Sequence, residues 1–535
     1  MKFHALHNPY PSQRMPVYAK NGMVATSHPL AAQAGLDMLK KGGNAIDAAI
    51  ATAAALTVVE PTSNGIGGDA FALVWCNGKL HGLNSSGPAP KGISIEKLEK
   101  KGIKEIPHYG WLPVTVPGVP AAWAELSERF GKLPLTKVLE PAIRYAEEGY
   151  PLSPTVSKYW KKAYQHYRRV LQGPEFAHWF ETFAPEGRAP EAGEIWRSRG
   201  HAETLQSIAE TKAHSFYQGE IAEKIVAFAK KYEGYLSLED LASFQPEWVN
   251  PISVNYRGYD IWEIPPNGQG LVALMALNIL KGFELIEKEV ERTYHLQIEA
   301  LKLAFVDGKK YITDPKYMNV KVEDLLSESY AEIRRKQIGE QALLPEAGKL
   351  PSGGTVYLAA ADCEGNMVSY IQSNFHGFGS GLVVPSTGIS LQNRGLTFSL
   401  DRNHANCLQP GKKTYHTIIP GFITNEGQPV GPFGVMGGYM QPQGHLQVVS
   451  NMIDFHLNPQ AALDAPRWQW LEDKRVEVER GVPDHIVQSL IRRGHDIRIA
   501  ADNGAFGRGQ IILKQDNGVL VGGTEPRTDG EVAAW

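Results

Sequence analysis

The chain has 535 residues, 43% hydrophobic and 21% charged; it exceeds one ordinary domain of roughly 100–200 residues and can bury a large core. Lys plus Arg (54) nearly balance Asp plus Glu (57), for a formal net charge of -3, and no basic cluster offsets that balance, which argues against a nucleic-acid partner. No apolar run reaches about 18 residues, the N-terminus lacks an apolar signal core, and Cys76, Cys363 and Cys407 form neither a disulfide framework nor a spaced metal site, so a cytoplasmic soluble enzyme without membrane association is expected.

Pro29 to Leu39 reads as a helix stopped by Gly42-Gly43, and Asn44 can cap a second helix running through Ala55. The glycine loop Asn64-Gly-Ile-Gly-Gly-Asp69 runs into a strand where a dinucleotide site needs a helix, so a tight structural turn is expected. Ala70–Trp75 and Leu80–Leu83 form a hairpin through Cys76-Asn-Gly-Lys79. From Val119 to Tyr232 the pattern is mainly helical, and Ser237 with Asp240 can cap a further short helix. Ile252 to Ile264 alternates as two strands around Arg257-Gly258, and helices follow at Leu271–Leu280 and Thr293–Lys309. The charged stretch between Val320 and Pro351 loses its core pattern toward its end, predicting an exposed linker.

Beyond the linker, Val356–Ala361 and Met367–Gln372 read as paired strands, with more strands near Gly388–Leu391, Thr414–Pro420 and His495–Ile499 and a terminal hairpin at Gln510–Gly522. Gly444–Phe455 and Asp484–Arg492 are read as helices. Helices flanking mixed strands favour a layered α+β architecture.

Thr355 carries the most telling chemistry. It follows Gly353-Gly354 and opens a strand, and a cut after Gly354 would give one residue both a hydroxyl nucleophile and the free amine that can serve as its base. Gly437-Gly438, ahead of a helix, can offer paired backbone N–H groups to an oxyanion. Asp401, His404 and His416 lack ligand spacing, so no metal or other cofactor is expected.

Gly65-Ile-Gly-Gly68, Val116-Pro-Gly-Val119, Tyr256-Arg-Gly-Tyr259, Asp464-Ala-Pro-Arg467 and Glu525-Pro-Arg-Thr-Asp-Gly530, ordered around Thr355, Phe378-Gly-Ser-Gly381 and Gly437-Gly438, make the chain resemble the gamma-glutamyltransferase (glutathione hydrolase) family of N-terminal-nucleophile hydrolases. The resemblance implies a four-layer αββα fold, made as a proenzyme and cut between Gly354 and Thr355. Residues 1–354 would form a large subunit and 355–535 a small one, two pieces of one fold. It further implies Thr355 as processing and catalytic nucleophile, its amine as base, and Gly437 and Gly438 as oxyanion hole. The substrate is then a small amide such as a gamma-glutamyl compound, with water or an amine as acceptor. Oligomeric state is left open, a homo-oligomer included.

The matching substrate positions are altered. Where the family's gamma-glutamyl enzymes hold the α-carboxylate with an arginine, this chain has Ser86; the acidic partner of the substrate ammonium falls near Thr397, and the paired serines fall at His416-Thr417. A hydroxyl cannot replace a bidentate cationic fork. Arg394 could supply carboxylate affinity from another direction. These changes resemble the cephalosporin acylase-like branch. The expected activity is self-processing amide hydrolysis of gamma-glutamyl or related acyl groups, favoured over transpeptidation; the alternatives are a glutaryl or cephalosporin-type acylase and an unprocessed, inactive binding homologue.

Overall fold

The computed structural model describes residues 14–345 and 354–535. The strands that build its two large sheets are, in chain order, β1 (Val17–Ala19), β2 (Gly22–Thr26), β3 (Asp69–Cys76), β4 (Lys79–Ser85), β5 (Glu247–Val249), β6 (Ile252–Tyr256), β7 (Tyr259–Glu263), β8 (Val356–Asp362), β9 (Met367–Ser373), β10 (Gly421–Asn425), β11 (Gln428–Met436), β12 (Arg508–Lys514), β13 (Leu520–Thr524) and β14 (Glu531–Ala534). One seven-stranded sheet has the order β1-β13-β12-β11-β10-β7-β6, the other β14-β2-β8-β9-β3-β4-β5. Every pairing in both sheets is antiparallel.

Alternation along β8 shows how the layers form. Val356, Leu358 and Ala360 join the core beneath the helices α1 (Pro29–Lys40) and α2 (Ala45–Val59). Tyr357, Ala359 and Ala361 point the other way, into a middle layer shared with Phe71, Phe422 and Ile512. A strand buried on both faces reads as an apolar run, as this one does. The sheet that contains β11 is covered outside by α3 (Gly270–Leu280), α4 (Glu291–Tyr311) and α5 (Met440–Ile453), giving four layers αββα. α2 has no amphipathic stripe because all its residues are buried. Its start is fixed by the reciprocal Asn44–Asp47 capping box.

Both sheets take strands from either side of Gly354. A cut there would divide the chain without separating two domains.

The paired strands from Ala70 to Leu83 and from Val356 to Gln372, and the Ser237–Asp240 cap, fall where the sequence puts them. Three features differ. Gly388–Leu391 and Thr414–Pro420 form isolated bridges in place of strands, because their backbone groups bond to loops at Gly67, Leu382, Asn267 and Gln269. β10 and β11 were not anticipated, nor were the short or terminal strands β1, β2, β5 and β14. β11 carries Pro429, Gly431, Pro432 and Gly434, which disguise a strand; yet a Cβ at Gly434 would lie 2.5 Å from the Tyr357 ring, so close contact between the sheets excludes a side chain there.

The linker is the third difference. Residues 346–353 lie outside the described residues, but the stretch just before them is tied down. Leu343 donates its N–H to Glu299 (3.0 Å), Lys302 Nζ donates to Leu343 O (3.1 Å), and Ala342 N–H reaches Arg493 O (2.7 Å).

Candidate active site

Thr355 immediately precedes β8 and is fully buried. The hairpin register, with Val356 opposite Gln372, sets Ser373 across from it. Ser373 Oγ donates to the Gly354 carbonyl at 2.8 Å, accepts the Phe375 N–H at 2.8 Å, and lies 3.1 Å from Thr355 Oγ1. A carbonyl can only accept, so the single Ser373 proton goes to Gly354 and the Thr355 hydroxyl donates to Ser373. One serine thus polarises the carbonyl on one side of the Gly354–Thr355 bond and orients the hydroxyl on the other. Ser373 was missed in the sequence; counting the register back from the Asp362–Asn366 turn would have found it.

Gly437 and Gly438 follow the end of β11, whose Gly434 packs on Tyr357 of the Thr355 strand. Their φ values, +137° and +60°, lie where a side chain is strained, which explains why both are glycine. Their carbonyls face inward to the turn: Gly437 O accepts from Met440 N–H (3.0 Å), and Gly438 O from Gln269 Nε2 (2.9 Å). Among the described residues neither glycine N–H has a protein acceptor. The Gly437 carbonyl shares its peptide plane with the Gly438 N–H, so that plane is held with its donor unused.

A second polar group collects on Asp69, the last residue of the glycine loop and the first of β3. His416 Nε2 donates to its carboxylate at 3.0 Å, and Arg394 Nε lies 3.5 Å away. Arg394 Nη1 donates to Thr417 Oγ1 at 2.6 Å. All four side chains are buried. Burial lowers the Arg394 guanidinium to a pKa of about 10, with Asp69 acting against the shift. Burial, with the nearby Arg394 cation, drops His416 to about 4, so its imidazole is neutral. The Arg394 atoms Nε and Nη2 have no hydrogen-bond partner. That is costly for a buried cation, and it leaves two donors for an incoming anion.

The other two expected substrate residues are spoken for. Thr397 Oγ1 bonds the Arg394 carbonyl (2.9 Å), the Tyr415 carbonyl (2.8 Å) and Thr414 Oγ1 (2.8 Å). Ser86 Oγ donates to Asn84 (2.7 Å) and accepts from Asn267 (3.2 Å). Both hydroxyls shape loops of the site. Asp69 was read in the sequence only as part of a turn, and nothing local marks it as the partner of Arg394 and His416.

The described residues also contain one buried group with metal-ligand atoms in reach of one another, His295, Glu299 and His495. Its members are engaged without an ion: Glu299 holds the Lys302 ammonium at 2.7 Å, and His295 Nδ1 meets His495 Nε2 at 2.9 Å. The cluster anchors the stretch leading to residue 345, with His295 Nε2 on Gly339 O at 2.8 Å.

Residues 31–535 match the family pattern described as Gamma-glutamyltranspeptidase. The chain belongs to that family. With its four αββα layers it is an amidohydrolase of the N-terminal-nucleophile superfamily, acting on small-molecule amides. It is similar to a solved cephalosporin acylase from Bacillus halodurans, at 66% identity and a TM-score of 0.96, covering 100% of this chain and 99% of that one. The Glutathione hydrolase-like YwrD proenzyme of Bacillus subtilis is 37% identical over 95% of this chain and 97% of its own length. The Oxamate amidohydrolase proenzyme of Klebsiella pneumoniae is 33% identical over 96% and 98% respectively.

Proposed function

We propose that this family member is a self-processing acylase that hydrolyses amides of carboxylate-bearing acyl groups, of the glutaryl or cephalosporin type. Gamma-glutamyl transfer is the lesser reading. The observation that carries this choice is the buried Arg394, with two donors unpaired beside a Thr397 hydroxyl committed to backbone carbonyls. Such a site offers a cation for an acyl carboxylate, while Thr397 puts a committed hydroxyl, not a carboxylate, where a substrate ammonium would be met. The full-length likeness to a cephalosporin acylase supports the same choice.

In this reading Thr355 Oγ1 adds to the Gly354 carbonyl carbon, the C–N bond breaks, and the acyl group passes from nitrogen to oxygen. Ser373 supports the step by donating to the carbonyl oxygen. Water then hydrolyses the ester, releasing the Gly354 carboxylate and leaving Thr355 with a free amine and its hydroxyl. The amine serves as base when the hydroxyl attacks a substrate amide, the N–H groups of Gly437 and Gly438 receive the oxyanion, and water discharges the acyl-enzyme. Residues 1–354 and 355–535 stay together through their shared sheets.

Steady-state rates on glutaryl-, gamma-glutamyl- and valeryl-4-nitroanilide test the acyl choice. The glutaryl compound is expected to show the highest kcat/KM, by about tenfold or more, in line with one desolvated charge pair. A faster gamma-glutamyl substrate, with transfer to glycylglycine exceeding hydrolysis, would refute it.

A further inference from the structure

Phe375 is held in a conformation that an aromatic residue rarely adopts, with φ +74°. Its ring covers the Arg394 guanidinium at 4.4 Å from the ring centroid and stacks on His376 at 4.0 Å. Phe375 also lines a cavity of about 300 Å³, with Lys104, Glu105, Leu396, Phe398 and Tyr439 among the walls. Arg394 is not part of that lining and is fully buried, although two of its donors are unpaired. A buried cation with hydrogen-bond donors left over, its face covered by the ring of a residue with a strained backbone, stands at the edge of a cavity that reaches Tyr439 beside Gly438.

We propose that Phe375 sets acyl selectivity by capping Arg394: a carboxylate-bearing acyl group displaces the ring and takes the Nε and Nη2 donors in its place. This rests on the acylase reading above. The ring's attraction to the cation is what an anion must outbid, so a neutral acyl chain gains nothing by moving it. The Phe375 N–H also bonds Ser373 Oγ, so displacement of this residue is felt next to the proposed nucleophile.

The test is the ratio of kcat/KM for glutaryl- over valeryl-4-nitroanilide, two acyl chains of equal length differing in the terminal carboxylate. It is measured on the full chain as wild type, Phe375→Gly and Phe375→Leu, alone and combined with Arg394→Met. Glycine suits the positive φ and removes the ring; it is expected to raise the ratio about tenfold, mainly through KM of the glutaryl compound. Leucine keeps apolar bulk without a π face and guards against a poorly folding glycine variant; its ratio should rise by less. Arg394→Met should erase both gains. Ratios within twofold of wild type in both single variants, or gains that survive Arg394→Met, would overturn the proposal. The wild-type preference between glutaryl and gamma-glutamyl anilides reports separately on the acylase reading.

Discussion

The two halves of the site are built on opposite rules. Around Thr355 the hydroxyls and carbonyl satisfy one another in a short chain from Gly354 through Ser373 to Thr355 and the Phe375 N–H. Around Arg394 the arrangement is left incomplete: Nη1 is bonded to Thr417, Nε faces Asp69 only at 3.5 Å, and neither Nε nor Nη2 makes a hydrogen bond. A closed network fixes geometry for a bond-breaking step, whereas an open one waits for a ligand's charge. In the proposed reading, bond cleavage and acyl selectivity are carried by different residues, and each can be altered while the other is watched.

The largest effect expected at the closed end comes from Thr355→Ala. It removes the hydroxyl, and both cleavage of the chain and amide turnover should fall to background while circular dichroism and the unfolding midpoint stay close to wild type. Fragments appearing at the wild-type rate in this variant would contradict the assigned role.

Ser373→Ala should be milder. Loss of one donor to a developing oxyanion costs about 3 kcal/mol, or roughly 100-fold in rate, and a gel time course of chain cleavage would read it. Ser373→Thr, which keeps the hydroxyl, should recover most of the rate; recovery by Ser373→Val instead would point to packing alone.

At the open end the smallest effect is an acid one. His416 titrates near 4 in the folded protein and near 6.5 when unfolded. Between those values the unfolded chain binds the extra proton, so the contribution is complete above about pH 6.5 and is lost as pH falls toward 4, by about 1 kcal/mol per unit. Urea midpoints at pH 7 and pH 5 should show His416→Gln with the shallower acid loss. His28 and His201, also lowered to about 4 by burial, supply part of the slope that remains. Equal slopes in the two proteins would mean His416 is not neutral when folded.

Legibility followed the same division. The placement of Thr355 at the head of a strand, of the glycine pair ahead of a helix, and of the hairpins was readable from local signals: flexible glycines before a β-branched run, turn residues between alternating strands. α1 was readable from its helical pattern ahead of Gly42-Gly43, and α2 from its Asn44 cap. β11 was not, since its prolines and glycines answer to the neighbouring sheet, as Gly434 does to Tyr357. Ser373 was within reach of a register count. Asp69 and Phe375 were not, because Asp69 gains its meaning only when β3 meets His416 and Arg394, and the significance of Phe375 lies in a backbone angle. Ser86 and Thr397 read in the sequence as departures from the gamma-glutamyl pattern; in the structure their hydroxyls hold loops together.

Intact mass with N-terminal sequencing of the purified protein tests the central claim most directly. The account predicts two co-purifying fragments, the smaller beginning at Thr355. A persistent 58.9 kDa chain that still hydrolyses the glutaryl anilide would contradict it.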